Sequence, residues 1–360
     1  MTDALRGVLL VLDRAGQGGM QSVVGLLTEV LSSAGVEVHV AVGGDDDLPE
    51  ILTTALDVHP DAHLHRLVDP RGIRGRAHAT AQLARLIRTL KPDVVHGHGL
   101  RTSWPLVVAG QRRPRRVLVT CHGLPPGDLS RSARLVRPTG VTVGAVAPGL
   151  RDELAAHHLR TVLLENAVTP APPAADRDAF MASLGLDPSM PLVVSPARLS
   201  PQKDPITLVR AVATTDAALV LVGDGPLRGQ VEHEIEARQL AGRVVVTGWR
   251  DDARAVLGAA DVMAMSSRWE GQALVMLEAA AAGVPIVATR APGIDGWLRD
   301  GVDALLEPVG DHLALGRAIE RALHDASIRH ALLAGGAVLA KRHDTNALLE
   351  AHLRVYRTLS

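Results

Sequence analysis

The sequence contains very little cysteine and very few aromatic residues. Cys121 is the single cysteine of a 360-residue chain, which excludes an internal disulfide and any metal site built from several cysteines. Phenylalanine, tryptophan and tyrosine together make up 2% of the residues. Binders of single-stranded nucleic acid stack their ligands on aromatic side chains, and this chain has few to offer. Carbohydrate-binding modules fit poorly for the same reason.

A strong net charge and long apolar runs are also missing. The formal net charge is −1, so no overall field attracts nucleic acid or a membrane, and we predict no nucleic acid partner. The apolar run at residues 8–12 is too short for a signal peptide. No other run approaches the roughly 18 apolar residues that a membrane span needs. We therefore expect a cytoplasmic protein.

What the chain does have is a large stock of valine, leucine, isoleucine and alanine in short runs. Hydrophobic residues make up 47%, and such runs are typical of parallel strands buried on both faces by helices. Short apolar runs alternate with amphipathic stretches along the chain, which indicates βαβ units and a parallel sheet. The strands are predicted at residues 7–12, 36–42, 93–98, 117–121, 140–146, 192–195, 218–222, 244–247, 262–265 and 284–288.

The pattern is interrupted once and then restarts, which predicts two domains. Residues 169–175 read TPAPPAA, a proline-rich stretch without periodicity that is typical of a linker. We predict an N-terminal domain at 1–168, a linker at 169–176 and a C-terminal domain at 177–342. Ligands of parallel sheets bind at the carboxyl ends of the strands, so we expect binding residues in the loops there.

A pair of glutamates spans a loop and the helix that follows it. Seven residues separate Glu270 from Glu278 in WEGQALVMLEA. Unpaired N–H groups at a helix N-terminus can bind an anion, so this backbone can hold a diphosphate, and Glu278 can accept hydrogen bonds from a diol such as ribose. The amides concerned are those of Gly271, Gln272, Ala273, Leu274 and Val275. The alternative is an ordinary surface loop with a solvated Glu278.

Two cations lie in a second loop between a strand and a helix. Arg198 and Lys203 stand in SPARLSPQKD. A guanidinium fork and an ammonium point charge suit a departing pyrophosphate, whose growing negative charge must be neutralised. Taken alone, the spacing favours the simpler explanation, in which both cations face solvent on a loop between a strand and a helix.

Together, these segments resemble the family 4 (group 1) glycosyltransferases. The resemblance rests on GQGGMQ, SPARLSPQKDPITLVRA, LVLVGDGPLRGQVE and the long stretch from VVVTGWRDD to AAGVPIVAT, in matching order and spacing. It implies an α/β fold of the GT-B class, with two facing Rossmann-like domains. It also implies a nucleoside diphosphate sugar as donor, UDP- or GDP-linked, retention of anomeric configuration, no cofactor and no required metal. In such chains a last helix, here residues 343–360, packs back on the N-terminal domain.

The resemblance assigns roles to the residues of the C-terminal half. Arg198 and Lys203 hold the donor diphosphate, Glu278 binds the ribose hydroxyls, and Glu270 contacts the donor sugar beside the backbone of residues 271–275. Gly223 and the turn from Gly248 to Arg250 line the base pocket.

In the N-terminal half, the resemblance implies that Gly18 and Gly19 let the backbone approach the donor phosphates. His122, at the end of a strand, lies near the reacting sugar. His98 is expected to line the acceptor cleft, because it lies nearer the strand's carboxyl end than His96. These two histidines share one face of a strand, but no third ligand is close in sequence, so we predict no metal site. The residues predicted to act in catalysis are His122, Glu270, Arg198 and Lys203.

The acceptor is not identified by the sequence, and it can be a small molecule or lipid-linked. Eight arginines and a single acid lie between Arg101 and Arg137, which allows weak peripheral membrane contact or simply an exposed basic face. Oligomeric state is not indicated.

Three other functions remain open. A loose dinucleotide fingerprint around Gly16 suggests an oxidoreductase, but its third glycine is missing. A sugar 2-epimerase of the same architecture and a nucleotide-sugar-binding relative without activity are the other two.

Overall fold

The computed structural model describes residues 5–16, 18–110, 116–125 and 127–359. The chain divides into two compact units. The first comprises Met1–Ala167 with Thr345–Ser360, and the second comprises Val168–Asp344. Residues 169–175, in which we predicted the linker, have no regular secondary structure.

The first unit is built on a parallel sheet of seven strands within the described residues. Its strands are β1 (Gly7–Leu12), β2 (Glu37–Gly43), β3 (Ala62–Leu67), β4 (Val94–His98), β5 (Val117–Cys121), β6 (Thr142–Ala145) and β7 (Arg160–Leu163). Their spatial order is β3-β2-β1-β4-β5-β6-β7, so the chain builds outward from β1 in one direction and then in the other. The helices are α1 (Gly19–Ser33), α2 (Glu50–Val58), α3 (Gly72–Leu90), α4 (Ser103–Gly110), α5 (Asp128–Val136) and α6 (Pro148–Ala156).

The second unit repeats this plan with six parallel strands in its described residues. They are β8 (Leu192–Pro196), β9 (Ala218–Val222), β10 (Val244–Gly248), β11 (Val262–Met265), β12 (Ile286–Thr289) and β13 (Leu305–Glu307). The spatial order is β10-β9-β8-β11-β12-β13. The helices are α7 (Arg177–Ser183), α8 (Pro205–Val212), α9 (Arg228–Ala237), α10 (Ala253–Gly258), α11 (Leu274–Ala281), α12 (His312–His324) and α13 (Ala326–Arg342).

The last helix, α14 (Thr345–Leu359), belongs to the first unit. Leu348, Tyr356 and Leu359 are buried in the same apolar cluster as Val8 and Leu10 of β1. An amphipathic helix of this kind is stabilised by the apolar face that it buries.

The central strands are apolar on both faces because helices cover both sides of each sheet. Every residue of β9 is buried, and the strand reads ALVLV. The predicted α/β class with parallel sheets is confirmed. Within the described residues, the helices are all too short or too polar to cross a membrane.

Candidate functional site

In both sheets, the strands that follow the first strand in sequence lie first on one side of it and then on the other. In the second unit β8 lies between β9 and β11, and in the first unit β1 lies between β2 and β4. In open parallel sheets, ligands bind at the carboxyl ends of the strands at this switch point. The loop after β8 carries Arg198 and Lys203, and the loop after β11 carries Glu270. The two motifs predicted to form a site therefore lie on neighbouring strands at the place where the topology favours a ligand.

Lys203 and Glu270 are in direct contact. Lys203 Nζ donates a hydrogen bond of 2.6 Å to Glu270 Oε1, and the two side chains are 20% and 5% exposed. Gln202 Nε2 donates to the Trp269 carbonyl at 3.0 Å and approaches Glu270 Oε2 at 3.4 Å. A buried carboxylate needs such partners, because an unpaired charge in the interior is costly. The ammonium therefore fixes the orientation of Glu270 before any ligand binds.

The backbone also holds the two loops together. Arg268 N donates to the Gln202 carbonyl at 2.7 Å, and the Ser266 hydroxyl donates to the Asp204 carbonyl at 2.7 Å. These contacts join residues more than 60 positions apart in the sequence. The separation of the two loops is therefore set by the fold rather than by flexible side chains.

A third loop, after β12, supports Glu270 from another side. Glu270 N donates to the Pro292 carbonyl at 2.8 Å. Gly293 follows with φ of +87°, and a Cβ at this position would overlap the Glu270 carbonyl oxygen. Gly293 is therefore required by both its conformation and its close contact. No role for Gly293 was predicted from the sequence.

Glu278 lies on α11 and has a different cationic partner, Arg254 of α10. Arg254 Nε lies 3.6 Å from Glu278 Oε1, and the two side chains are 34% and 27% exposed. Burial raises the pKa of Glu278, and the Arg254 guanidinium partly opposes this shift. The other nitrogens of Arg254 donate to Thr169 Oγ1 at 2.8 Å and to the Thr169 and Pro170 carbonyls at 2.9 and 3.1 Å. Arg254 thus joins Glu278 to the first residues of the second unit.

The N-terminus of α11 lies between the two glutamates in sequence. Its N-cap residue is Ala273, which has no side-chain oxygen to satisfy the first amides. Gly271, Gln272 and Ala273 are buried, and Leu274 and Val275 are partly exposed. An anion at this terminus would meet backbone donors and the positive end of the helix dipole.

Arg198 is exposed, and it makes no hydrogen bond or ion pair within the part of the chain that the structure describes. Its loop packs on the turn after β9, where Leu199 N donates to the Asp224 carbonyl at 3.0 Å. Gly223 in that turn has φ of +154°, and a Cβ there would overlap the Ala197 carbonyl oxygen. The glycine allows the two loops to touch, and the Arg198 guanidinium stays available to an anion.

The Gly248–Arg250 turn follows β10. Gly248 forms an isolated bridge with Gly223 and has φ of +76°. Arg250 makes a two-pronged ion pair with Asp252 at 2.7 and 2.6 Å and lies 5.3 Å above the Phe180 ring. The Arg250 side chain is thus already paired, which leaves the backbone of the turn as the part that can recognise a base.

In the first unit, Gly18 is the N-cap residue of α1 and Gly19 is its first residue. The φ of Gly18 is 168°, an extended conformation that any residue adopts, so backbone strain does not explain this glycine. The neighbouring Gln17, within the quoted GQGGMQ motif, lies outside the described residues.

The predicted histidines belong to a larger buried cluster in the first unit. His98 Nδ1 and His122 Nε2 are 3.0 Å apart, and the His96 and His98 rings share one face with centroids 4.3 Å apart. His96 bonds Tyr356 OH of α14 at 2.7 Å, and His352 of α14 packs with its centroid 5.8 Å from that of His96. The C-terminal helix thus contributes two polar side chains to this cluster.

Burial keeps these imidazoles neutral. The pKa values of His122 and His352 fall to about 4, and those of His96 and His98 fall well below the ordinary range, in each case mainly by desolvation. Within the described residues, His98 Nε2 is buried without a hydrogen-bond partner. The His98–His122 pair can therefore act as neutral donors and acceptors of hydrogen bonds at neutral pH.

Sequence reasoning missed Gln202, Arg254, Gly293, His352 and Tyr356. Gln202 stands beside Lys203, so proximity to a predicted residue was the available signal. The others are far in sequence from the residues they contact, and no local spacing marks them. The basic segment from Arg101 to Arg137 lies partly outside the described residues, at 111–115 and 126.

The comparisons with known proteins agree with this architecture. The profile of the family described as "Glycosyl transferases group 1" matches residues 176–336, and that of "Glycosyltransferase Family 4" matches residues 17–177. The two matches meet near the boundary between the units and together span most of the chain.

Two curated proteins illustrate the range of relatives. Lipopolysaccharide core biosynthesis glycosyltransferase LpsE of Rhizobium meliloti is 36% identical over 176 residues, which are 48% of this chain and 52% of that protein. The match thus spans about half the length of LpsE. The 2-deoxystreptamine N-acetyl-D-glucosaminyltransferase of Streptomyces fradiae is 29% identical over 362 residues, or 89% of this chain and 86% of that protein.

Among solved structures, Anabaena HepE in complex with UDP and glucose has a TM-score of 0.79. The likeness covers 96% of this chain and 98% of HepE at 19% sequence identity. This likeness, with the two family matches, confirms the predicted GT-B fold class.

Proposed function

Because the chain belongs to the group 1 (family 4) glycosyltransferases of the GT-B fold, we propose that it transfers a sugar from a nucleoside diphosphate donor to a hydroxylated acceptor with retention of anomeric configuration. The observation that carries the proposal is the contact of Lys203 with Glu270 at the switch point of the second unit. It joins a cation suited to a phosphate with a carboxylate suited to sugar hydroxyls. This arrangement fits a ligand that carries both a phosphate and sugar hydroxyls.

The proposed donor site uses each group for the chemistry it suits. Arg198 and Lys203 neutralise the charge that grows on the departing diphosphate, and the amides at the start of α11 contribute further donors. Lys203 has three N–H donors, so it can keep its bond to Glu270 while it contacts a phosphate oxygen. Glu278 accepts hydrogen bonds from the ribose hydroxyls, and Arg254 holds this carboxylate in place.

We propose UDP as the nucleotide, with GDP as the alternative that the same binding experiment separates. HepE, which shares the fold, is described in complex with UDP and glucose. We assign the base to the backbone of the turn at Gly248 and to the neighbouring Gly223, which the isolated bridge between them holds together. We also propose that transfer needs no metal and no cofactor, because fixed cations take the role of a divalent ion.

For retention, the proposal relies on positioning rather than on a protein nucleophile. The acceptor attacks on the face from which the diphosphate leaves, and the leaving phosphate oxygen accepts the acceptor proton. The protein orients both partners and stabilises charge. In the first unit, we assign His122 to a hydroxyl of the reacting sugar and His98 to the acceptor, with both imidazoles neutral. A cyclic polyol or amino-polyol is a suitable first acceptor, since the Streptomyces fradiae relative is named for 2-deoxystreptamine.

The test is nucleotide binding followed by transfer. Thermal-shift and calorimetric titrations with UDP, GDP and their sugars identify the donor, because a ligand of the folded state raises its apparent stability. We expect Glu278→Ala to weaken binding of the preferred nucleotide at least tenfold. Glu232→Ala, on the exposed face of α9, is the matched control and should leave it unchanged. Equal nucleotide affinity in the two variants would contradict the assignment of Glu278 to the donor site.

The transfer step is assayed as acceptor-dependent release of nucleotide, with and without EDTA. Retention is read from the anomeric signal of the product by NMR. Release without acceptor would indicate a sugar 2-epimerase instead. Binding without turnover on any acceptor would indicate a relative that has lost activity, and a strict divalent requirement would contradict the metal-independent mechanism.

A further inference from the structure

A cluster of three histidines and a glutamate lies at the edge of the seven-stranded sheet, on β2 and β3. Glu37 and His39 belong to β2, and His63 and His65 belong to β3. His39 is paired in register with His63, and Ala41 with His65, so the four side chains share one face. The cluster begins at the amino ends of these strands, whereas the switch-point loops follow the carboxyl ends. It is therefore separate from the residues that we assign to sugar transfer.

Two imidazole nitrogens converge on one carboxylate oxygen. His39 Nε2 lies 3.2 Å from Glu37 Oε1, and His63 Nε2 lies 3.9 Å from the same atom. The ligand atoms of Glu37, His39 and His63 all lie within 4.8 Å of one another. Tetrahedral zinc, with bonds of about 2.0–2.1 Å, needs neighbouring ligand atoms roughly 3.3 Å apart. The observed spacings therefore require only small side-chain movements.

The side chains that must move are free to do so. Those of Glu37 and His63 are 53% and 44% exposed, whereas that of His39 is 8% exposed. The buried ligand is thus held in place, and the two exposed ligands can adjust around the ion. The His39 and His63 rings are also stacked, with centroids 5.0 Å apart.

The fourth residue provides the outer contact that metal-binding histidines usually have. His39 Nδ1 and His65 Nε2 are 3.2 Å apart, which allows a hydrogen bond that orients the His39 ring and leaves Nε2 for a ligand.

From this geometry we propose that Glu37, His39 and His63 bind one divalent transition-metal ion of the zinc class, with His65 as the positioning residue for His39. Two imidazoles and a carboxylate favour zinc, cobalt or nickel over magnesium or calcium. Three protein ligands leave a fourth position for water. Bound there, the ion joins edge strand β3 to β2 and stabilises a strand that pairs, among the described strands of its sheet, with β2 alone.

The experiment is a titration of metal-free, tag-free full-length protein with Zn²⁺ by calorimetry and with Co²⁺ by visible absorption. We expect one ion per chain and the absorption of a low-coordinate Co²⁺ site. His63→Ala and Glu37→Gln should each weaken binding at least tenfold. His65→Ala should weaken it by about tenfold while keeping the absorption band, as expected of an outer contact.

The matched control is the second group of potential ligands, Asp216, Glu320 and His324, which lies in the other unit. His324→Ala should leave Zn²⁺ affinity unchanged. A result in which His324→Ala abolishes binding, or in which His63→Ala has no effect, would overturn the proposal. Hydrogen exchange gives an independent readout, since Zn²⁺ should slow exchange of the β3 amides in the wild type but not in His63→Ala. Nucleotide affinity should be equal with Zn²⁺ and with EDTA, so failure here and failure of the proposed function are distinguishable.

Discussion

The Lys203–Glu270 contact makes a quantitative prediction about the stability of the second unit. Removing one partner of a buried ion pair costs about 3–5 kcal/mol, because the remaining charge is left without compensation. Glu270 is 5% exposed, but Lys203 is 20% exposed and Gln202 stays nearby. We therefore expect Lys203→Met to cost about 3 kcal/mol, at the lower end of that range. For a unit of this size the melting temperature would fall by roughly 6–12 °C.

Removing the carboxylate of this pair should lower the free energy of unfolding by less than removing the ammonium does. Glu270→Gln removes the carboxylate but leaves an ammonium that can reach water, so we expect a loss of about 1 kcal/mol. The double variant no longer contains a buried uncompensated carboxylate. The double variant should therefore lose about 2 kcal/mol less stability than the two single variants lose in sum. This coupling lies within the range found for contacting residues.

The assay is unfolding in urea, monitored by tryptophan fluorescence. Trp249, Trp269 and Trp297 lie in the second unit, so the signal reports mainly on that unit. The matched control is the cycle of Arg228→Met and Glu232→Gln, a pair on α9 whose side chains are 39% and 49% exposed. Its coupling should be about 0.5 kcal/mol, as is typical of exposed pairs. Equal couplings in the two cycles would refute the view that Lys203 compensates a buried charge.

Two further predictions concern a glycine and a histidine. Gly293→Ala should lower kcat/KM at least tenfold and cost about 1–3 kcal/mol, because its Cβ meets the Glu270 carbonyl oxygen at a positive φ. The control is Gly310→Ala, because Gly310 has a similar φ of +82° but open space around it, so this variant shows the conformational cost alone. It should leave kcat/KM unchanged. Equal losses of kcat/KM in the two variants would contradict a role for the contact between residue 293 and Glu270. His352 is neutral in the folded state, with a pKa of about 4 against an ordinary 6.5, so stability is full above pH 6.5 and falls by about 3 kcal/mol as the pH drops to 4. Thermal melts between pH 7 and 4 should show a weaker acid loss for His352→Gln than for the exposed control His330→Gln; equal slopes would show that His352 does not cause the effect.

Much of the fold was predictable, because buried parallel strands have an unmistakable sequence. The observed β1, β5, β9 and β11 have the predicted bounds, since each is a short run of mostly apolar residues. The edge strand β3 was missed for the opposite reason. It reads AHLHRL, and half of its residues are exposed, so neither a continuous apolar run nor a clear alternation marks it. His63 and His65 of the proposed zinc site lie on this strand and were overlooked with it.

The site was predictable only in part. Sequence spacing indicated the two loops and the residue types suited to a diphosphate and a sugar. It did not indicate that Lys203 Nζ and Glu270 Oε1 touch, because 67 positions separate them in the chain. Their contact follows from the strand order, which brings β8 next to β11.

The two glutamates of the proposed donor site differ in burial and in their cationic partners. Glu270 is almost fully buried, and the Lys203 ammonium donates a 2.6 Å hydrogen bond to it, as a buried carboxylate needs a close partner. Glu278 is more exposed, and Arg254 lies 3.6 Å away, with its terminal nitrogens already bonded to the Thr169 hydroxyl and to the Thr169 and Pro170 carbonyls. Burial raises the pKa of Glu278, and Arg254 partly opposes this rise without filling all the hydrogen-bonding positions of the carboxylate. A carboxylate that is held in place and still able to accept hydrogen bonds suits the role that we propose for Glu278 at the ribose diol.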